Sequence, residues 1–401
     1  MKKFLVTLII ILLIAGILAI GNYTLDLRSE NAELLAREKE LETELLASQT
    51  ELANAKKEAV QEVPNLEKTN GMEVVPTMLD IITGDSSWCG TFQLIWNDMK
   101  NEVVKKDIVF TPQEQMASNL NKEEFKESML SGEYYFKKYG LKTLELKEEI
   151  EKGIMQKFNQ TSDILEDFDW SDEGLNDPNN PDVQRYFFYA MLYRKFEFLQ
   201  EFNKLDKGKF GNNYNNIEYF GIDRNTKKSV GEQIDVLYYN SNEDFAIVVN
   251  TKTNDEVIFC KSPEGTTFKE IYDNMNNKAG KYDGSKSFKN IDEFKAPNLN
   301  FNEKREYTEL QDKTFKTADP IYDTAEIIKA IQTIKFSLDE KGGEIKSEAG
   351  MDMVMGTSAV NPAPEEPRYF YVDNTFAIFL KEKGQTMPYF AARIENVTKF
   401  Q

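Results

Sequence analysis

The chain has 401 residues, a formal net charge of -19 and no histidine. Without imidazole there is no Ser-His-Asp or Cys-His catalysis and no histidine-ligated metal, and the acidic balance argues against nucleic acid, which requires a basic stripe. At 40% hydrophobic and 12% aromatic residues the chain can fill one large core or two ordinary ones, its acidity serving solubility. Cys89 and Cys260 lie far apart. A disulfide between them stays open, with a pair of buried thiols the favoured reading.

Lys2 and Lys3 precede the apolar run Phe4 to Ile20, at the short limit of a span, roughly 17–25 residues. The expectation for residues 1–21 is an uncleaved anchor that leaves the N-terminus in the cytoplasm and the rest outside the cell membrane. Ala19 and Gly21 keep open a cleaved signal peptide and a secreted product. In residues 22–63, Leu27, Leu34 and Leu41 repeat in heptads, Leu45 and Leu52 continue out of phase, and Asn31 falls on the seam. This predicts a helical stalk, either a single charged helix or a parallel coiled-coil homodimer. Residues 64–87, opened by Pro64 and poor in aromatics, read as a linker.

The globular part, 88–401, starts near Trp88. Phe92, Ile95, Trp96, Met99 and Val103 predict a helix over Thr91 to Val104. Further helices are expected over Lys122 to Tyr139 and Leu144 to Phe158. The acidic run from Asp163 to Asp182 lacks calcium-loop spacing, since counting from Asp167 puts Asp172 at the glycine position and Pro178 at the glutamate position. It reads as a solvated loop. Ile234 to Tyr239, Phe245 to Asn250 and Val257 to Cys260 predict an antiparallel meander. A long strand is expected over Phe294 to Tyr307, and a short helical or irregular lead over Thr324 to Ile331.

Ile334, Phe336 and Leu338 alternate with Lys335, Ser337 and Asp339, the period of a half-buried strand. Lys341-Gly342-Gly343 gives a turn. Alternation then resumes, with Gly343, Ile345, Ser347, Ala349, Met351, Met353 and Met355 on one face and Glu344, Lys346, Glu348 and Asp352 on the other. Gly356 to Pro367, GTSAVNPAPEEP, resists pairing and predicts an extended, protease-accessible loop.

These residues resemble a known family. SLDEKGGE, Ser337 to Glu344, is similar to the hinge of the serpins, which trap proteases by inserting a cleaved loop into their own sheet. RYFYVDNTFAIFLKEKGQTMPYFAARIEN, ending in Phe390-Ala391-Ala392-Arg393-Ile394-Glu395-Asn396, resembles the serpin ending. Asp107 to Pro112 looks like the Asn-x-x-Phe-Ser-Pro segment, Leu192-Tyr193 with Phe198 and Phe202 like the Tyr-x-x-x-x-Trp-x-x-x-Phe region, and Asp255 to Met275 like the strand and helix start written as a Pro-x-Glu-Gly-Thr-Thr run.

The resemblance implies an α+β, serpin-like fold over roughly residues 88 to 401, with a large mixed β-sheet and smaller antiparallel sheets packed with helices, preceded by the transmembrane helix and stalk. It places a central strand of the main sheet at Tyr186 to Phe202. It also implies a protease inhibitor rather than an enzyme, without cofactor, metal or nucleic acid. Gly342, Gly343, Glu344 and Ile345 take the hinge role, and counting from Gly342 puts the scissile bond at Gly356-Thr357, within Met353 to Val360. Met355, Gly356, Thr357 and Ser358 are thus the reactive-loop candidates, in a loop near 353–367. The window has no Arg or Lys, which suits subtilisin-, elastase- or papain-like proteases. Gly343 stands where the family has a threonine and Ile345, Lys346, Ser347 and Glu348 where it has alanines, while Gln332 departs from its histidine, Gln113-Glu114 from its Ser-Ile and Phe198 from its tryptophan. These departures keep a second reading open: a non-inhibitory binding or structural module whose hinge strand is pre-inserted or does not insert. Paired carboxylates between Glu166 and Glu173 form the remaining, enzymatic alternative.

Overall fold

The computed structural model describes Arg37, Thr69 and residues 71–180, 182–226, 228–345 and 366–401. From Thr69 on, these belong to one compact unit, Pro64–Gln401. The apolar run Phe4 to Ile20 and the expected stalk, apart from Arg37, lie outside the described residues. Among those described, no helix is long and apolar enough to cross a membrane.

The fold is mixed, with one large sheet and several smaller ones. The largest has seven strands, in the order Glu73–Val75, Ser86–Cys89, Phe390–Ile394, Phe376–Glu382, Asp255–Lys261, Asp244–Asn250 and Ile234–Ser241. Its first two strands run parallel and the other neighbours antiparallel. Phe376 to Leu380 are fully buried without alternation, as expected of a central strand covered on both faces. The expected meander forms one end of this sheet.

One four-stranded sheet joins Tyr369–Tyr371, Glu293–Pro297, Tyr214–Ile222 and Asn203–Phe210; the other joins Leu299–Glu306, Ile331–Leu338, Gly342–Ile345 and Arg194–Glu197. Two hairpin-sized pairs complete the set, Thr314–Lys316 with Thr324–Glu326 and Tyr135–Leu141 with Tyr186–Leu192. The main core fills the space between the large sheet and the four-stranded sheets, with Phe301, Phe336 and Phe390 stacked at its centre. A second cluster gathers Phe92 and Trp96 of the Thr91–Asp98 helix with Tyr307 and Phe315. A third lies under the Leu144–Phe158 helix, where Ile150 and Ile154 meet Phe187 and Tyr189.

Several expectations are corrected. The segment read as a linker is folded from about Gly71 on: Val74, Val75, Met78 and Ile82 are buried, and Glu73–Val75 pairs in parallel with Ser86–Cys89, a partner that leaves no local turn signal. Over Lys122 to Tyr139 the expected helix is a single helical turn, Glu127–Met129, followed by strand Tyr135–Leu141. Pairing with the aromatic strand Tyr186–Leu192 overrides the local helical pattern there. The long strand Phe294 to Tyr307 is two strands in different sheets, parted at Asn298 directly after Pro297, which has no amide to donate. The Thr324 to Ile331 lead contains a short strand. Both thiols are free and buried, and burial pushes each up to about 11.

Candidate functional site

The hinge is seated in the sheet. Lys341 N–H donates to Asp339 Oδ1 at 2.8 Å and Asp339 N–H to the Gly342 carbonyl at 2.8 Å, which reverses the chain after strand Ile331–Leu338. The following strand, Gly342–Ile345, hereafter the hinge strand, is antiparallel to both neighbours: Glu344 and Gly343 oppose Ser337 and Leu338, and Gly342 to Ile345 oppose Glu197 to Arg194.

Two glycines permit this fit. Gly342 has φ +150°, and a Cβ there would lie 2.2 Å from the Phe196 carbonyl oxygen. At Gly343 a Cβ would come within 2.5 Å of both the Phe196 ring and the Ser337 carbonyl. The face alternation holds: Ile345 is 4% exposed and turns into the core, while Glu344 accepts a hydrogen bond from Tyr193 Oη at 3.0 Å.

Beyond Ile345 the described residues place no strand between the two neighbours of the hinge. Arg194–Glu197 continues the strand Tyr186–Leu192, the slot strand, but among the described strands the slot strand pairs along one edge only, with Tyr135–Leu141. Ile331–Leu338, the far strand, pairs with Leu299–Glu306 on one side, and on the other only Ser337 and Leu338 meet a partner. Among the described strands no ladder joins Tyr186–Leu192 to Ile331–Leu338. Between them lies a cavity of about 1060 Å³ with Ile345 at its rim. Ala190 and Leu192 line one wall, Gln332 and Ile334 the other, and Phe92 and Trp96 lie on the helix side. Among the described residues two sheet edges without strand partners therefore face each other across an apolar floor, an arrangement that accepts an extended chain.

The walls are tied down from behind. Gln332 Nε2 donates to the Cys89 carbonyl at 3.0 Å and to Thr91 Oγ1 at 3.1 Å, and its Oε1 accepts from Tyr307 Oη at 2.7 Å. The far strand is thereby fixed to the start of the Thr91–Asp98 helix. On the other side Arg194, fully buried, donates through Nε to Asp255 Oδ2 at 2.7 Å and lies 3.5 Å from Glu382 through Nη1. Its guanidinium sits 3.5 Å above the Tyr134 ring, and Tyr389 Oη donates to Asp255 Oδ1 at 2.9 Å. Burial raises the Asp255 carboxyl above its ordinary value, and the Arg194 charge opposes that rise.

Of the residues singled out in the sequence, Gly342, Gly343, Glu344 and Ile345 are brought between the two strands. Met355, Gly356, Thr357 and Ser358 lie outside the described residues, as does the 353–367 loop up to Glu365. Phe198 packs edge-on against Phe196 and Phe202 behind the hinge. Among the described residues no group of carboxylates is placed to hold a metal ion. The slot escaped sequence reasoning because it is defined by pairing that is missing between distant strands. The acidic run is exposed or half-exposed over its described length except at Leu165, which is buried, and Asp163 and Asp167 meet Lys335 and Lys304. The outward lysine at 335 was the visible half of that signal.

No family model matches the chain, and no curated protein matches it. Among solved structures, the chain is similar to human thyroxine-binding globulin complexed with thyroxine, at 11% identity and a TM-score of 0.37, over 63% of this chain and 64% of that one. It is also similar to Serpin48, a highly specific serpin of the insect Tenebrio molitor, at 16% identity and a TM-score of 0.34, over 67% of this chain and 78% of that one. Native protease nexin-1 with heparin is similar at 10% identity and a TM-score of 0.41, over 67% and 80%. The chain spans just under two thirds of the length of thyroxine-binding globulin, 65% and 64% in two structures of it. These neighbours are serpins, the family that the sequence motifs resemble.

Proposed function

We propose that this protein is a serpin-like conformational trap, a protease inhibitor whose cleaved loop enters the slot ahead of its hinge. The observation that carries this is that Ile345, the end of the seated hinge strand, lines the same cavity as the two strands that the hinge joins. Continuing the two ladders residue by residue would set Ser347 opposite Leu192 and Ile334, and Ala349 opposite Ala190 and Gln332. Small side chains would then face the apolar floor. Lys346 would fall opposite Lys335, a like-charge pair that slows the step.

The bond attacked is placed at Gly356-Thr357, flanked by Met355 and Ser358, and the target is a subtilisin-, elastase- or papain-like protease. Residues 1–21 are proposed to tether the domain outside the cell membrane, and the stalk at 22–63 to be helical, with a homodimer as one outcome. Incubation with subtilisin, an elastase and papain tests the inhibitory reading. An SDS-stable adduct with release of the C-terminal peptide is expected; nicking of the chain by all three without any adduct would refute it.

A second reading, a non-inhibitory binding module, is favoured by one observation: the hinge is already hydrogen-bonded on both edges, with Ile345 sealed in the core. In that case the slot is a permanent groove.

A further inference from the structure

The strand Tyr135–Leu141 is the outer member of its pair, and among the described strands it is laddered to Tyr186–Leu192 alone. Two bonds just beyond that ladder fix its phase: Tyr193 N–H donates to the Tyr134 carbonyl at 3.1 Å, and Lys142 N–H to the Arg185 carbonyl at 2.7 Å. Even-numbered residues therefore bond inward, while Lys137, Tyr139 and Leu141 direct their amides and carbonyls to the free edge. At Tyr135 the outward carbonyl is taken by Lys157 Nζ at 2.6 Å, which leaves 137–141 as the open stretch.

Edges of this kind are normally guarded by proline, by a bulge or by free lysines. Here the strand has no proline, and its register runs without a bulge. Its two lysines are drawn off into ion pairs, Lys137 with Asp98 and Glu127, and Lys138 with Glu149 at 2.9 Å. On one face Tyr139 stacks on Phe188, with ring centroids 5.5 Å apart and planes at 15°, and Phe188 stacks in turn on Tyr186. That aromatic row ends at Tyr139, and Leu141 and Tyr186 beside it are each 38% exposed.

The open stretch is complementary to itself. An antiparallel copy on a two-fold axis at Tyr139 sets Tyr139 against Tyr139, Lys137 against Leu141 and Lys138 against Gly140, so that no lysine meets a lysine and the row of rings continues across the axis. Moving the axis one residue either way opposes Lys138 to itself or to Lys142. We propose that 137–141 is a homodimer edge, whose occupant is the same strand of a second copy of this chain. The net charge of -19 on each chain opposes the association, and a shared stalk would offset that by raising the effective concentration. The inference uses neither the slot nor the loop, so it can fail while the inhibitory reading stands, or the reverse.

Disulfide cross-linking of the full chain in mild detergent tests it, with Cys89 and Cys260 buried and so unable to compete. Under copper-phenanthroline oxidation Y139C should link into a dimer, because facing residues of a hydrogen-bonded antiparallel pair lie about 5.5 Å apart at Cα, within disulfide reach. L141C places its two thiols about 14 Å apart at Cα and should link at least about tenfold more slowly. Hydrogen–deuterium exchange supplies a second readout. Y139P removes an outward amide and no bond to Tyr186–Leu192, so the amides of Lys137 and Leu141 should exchange about tenfold faster in it, with those of Phe136, Lys138 and Gly140 unchanged. Equal linking of Y139C and L141C, which random collision or a stalk dimer with separate domains would give, would overturn the proposal. So would exchange at Lys137 and Leu141 that Y139P leaves unaltered, or that it accelerates no more than at the inward-bonded amides.

Discussion

One stretch of chain, Tyr186 to Glu197, has two different fates. Its second half, Arg194–Glu197, is closed by the hinge strand on one edge and anchored through Arg194 to a buried acid pair. Among the described strands its first half, Tyr186–Leu192, pairs only with Tyr135–Leu141, and it lines a cavity. Among the described residues the difference lies in what arrives from the far strand: two glycines and an isoleucine fill the gap at one end, and no strand is placed in it at the other. An unfilled sheet edge carries unmet hydrogen-bonding capacity, so this half is where a further strand would add ladder bonds.

The closed half should break most severely at Arg194. Replacement by methionine leaves Asp255 and Glu382 buried beside an apolar side chain, with an expected cost of about 3–5 kcal/mol, read as a lower midpoint in urea unfolding. Gly343→Val should unseat the hinge through the Phe196 and Ser337 clashes, costing about 2 kcal/mol. Faster amide exchange at 342–345 and 194–197, with the slot strand unaffected, is the measurement that checks it.

The open half depends on Gln332. Gln332→Leu strands the Tyr307 hydroxyl and Thr91 at the floor, with an expected loss of about 1–2 kcal/mol by urea unfolding. The smallest effect is alkaline. Burial, ahead of all other causes, pushes the Tyr134 phenol beneath Arg194 up to about 12. Its contribution to stability is complete below about pH 10, where an unfolded tyrosine begins to ionise, and is lost as pH rises toward 12. The melting temperature should therefore fall across that window, and by less in Tyr134→Phe.

Local features of this architecture were legible and remote ones were not. The Leu144–Phe158 helix follows from its apolar spacing and from Thr143, whose hydroxyl accepts the Leu146 amide. The hinge turn follows from Gly342-Gly343, and the far strand from the alternation around Phe336. Strand Tyr135–Leu141 was hidden, because its lysines and tyrosines satisfy a helical period until the aromatic strand at 186–192 is beside it. The slot was hidden for a related reason: it is bordered by Tyr186–Leu192 and Ile331–Leu338, which are brought side by side only after the chain has folded.

The central claim is that the slot accepts the strand that follows Ile345. Limited subtilisin cleavage within 353–367, followed by thermal melting of the nicked and intact chains, tests it most directly. Filling the slot should raise the melting temperature by at least about 5 °C, since each kcal/mol moves the melting of a chain this long by about 2 °C, and should protect the amides of 186–192. A nicked chain that melts at or below the intact value, with those amides still exchanging freely, would contradict it.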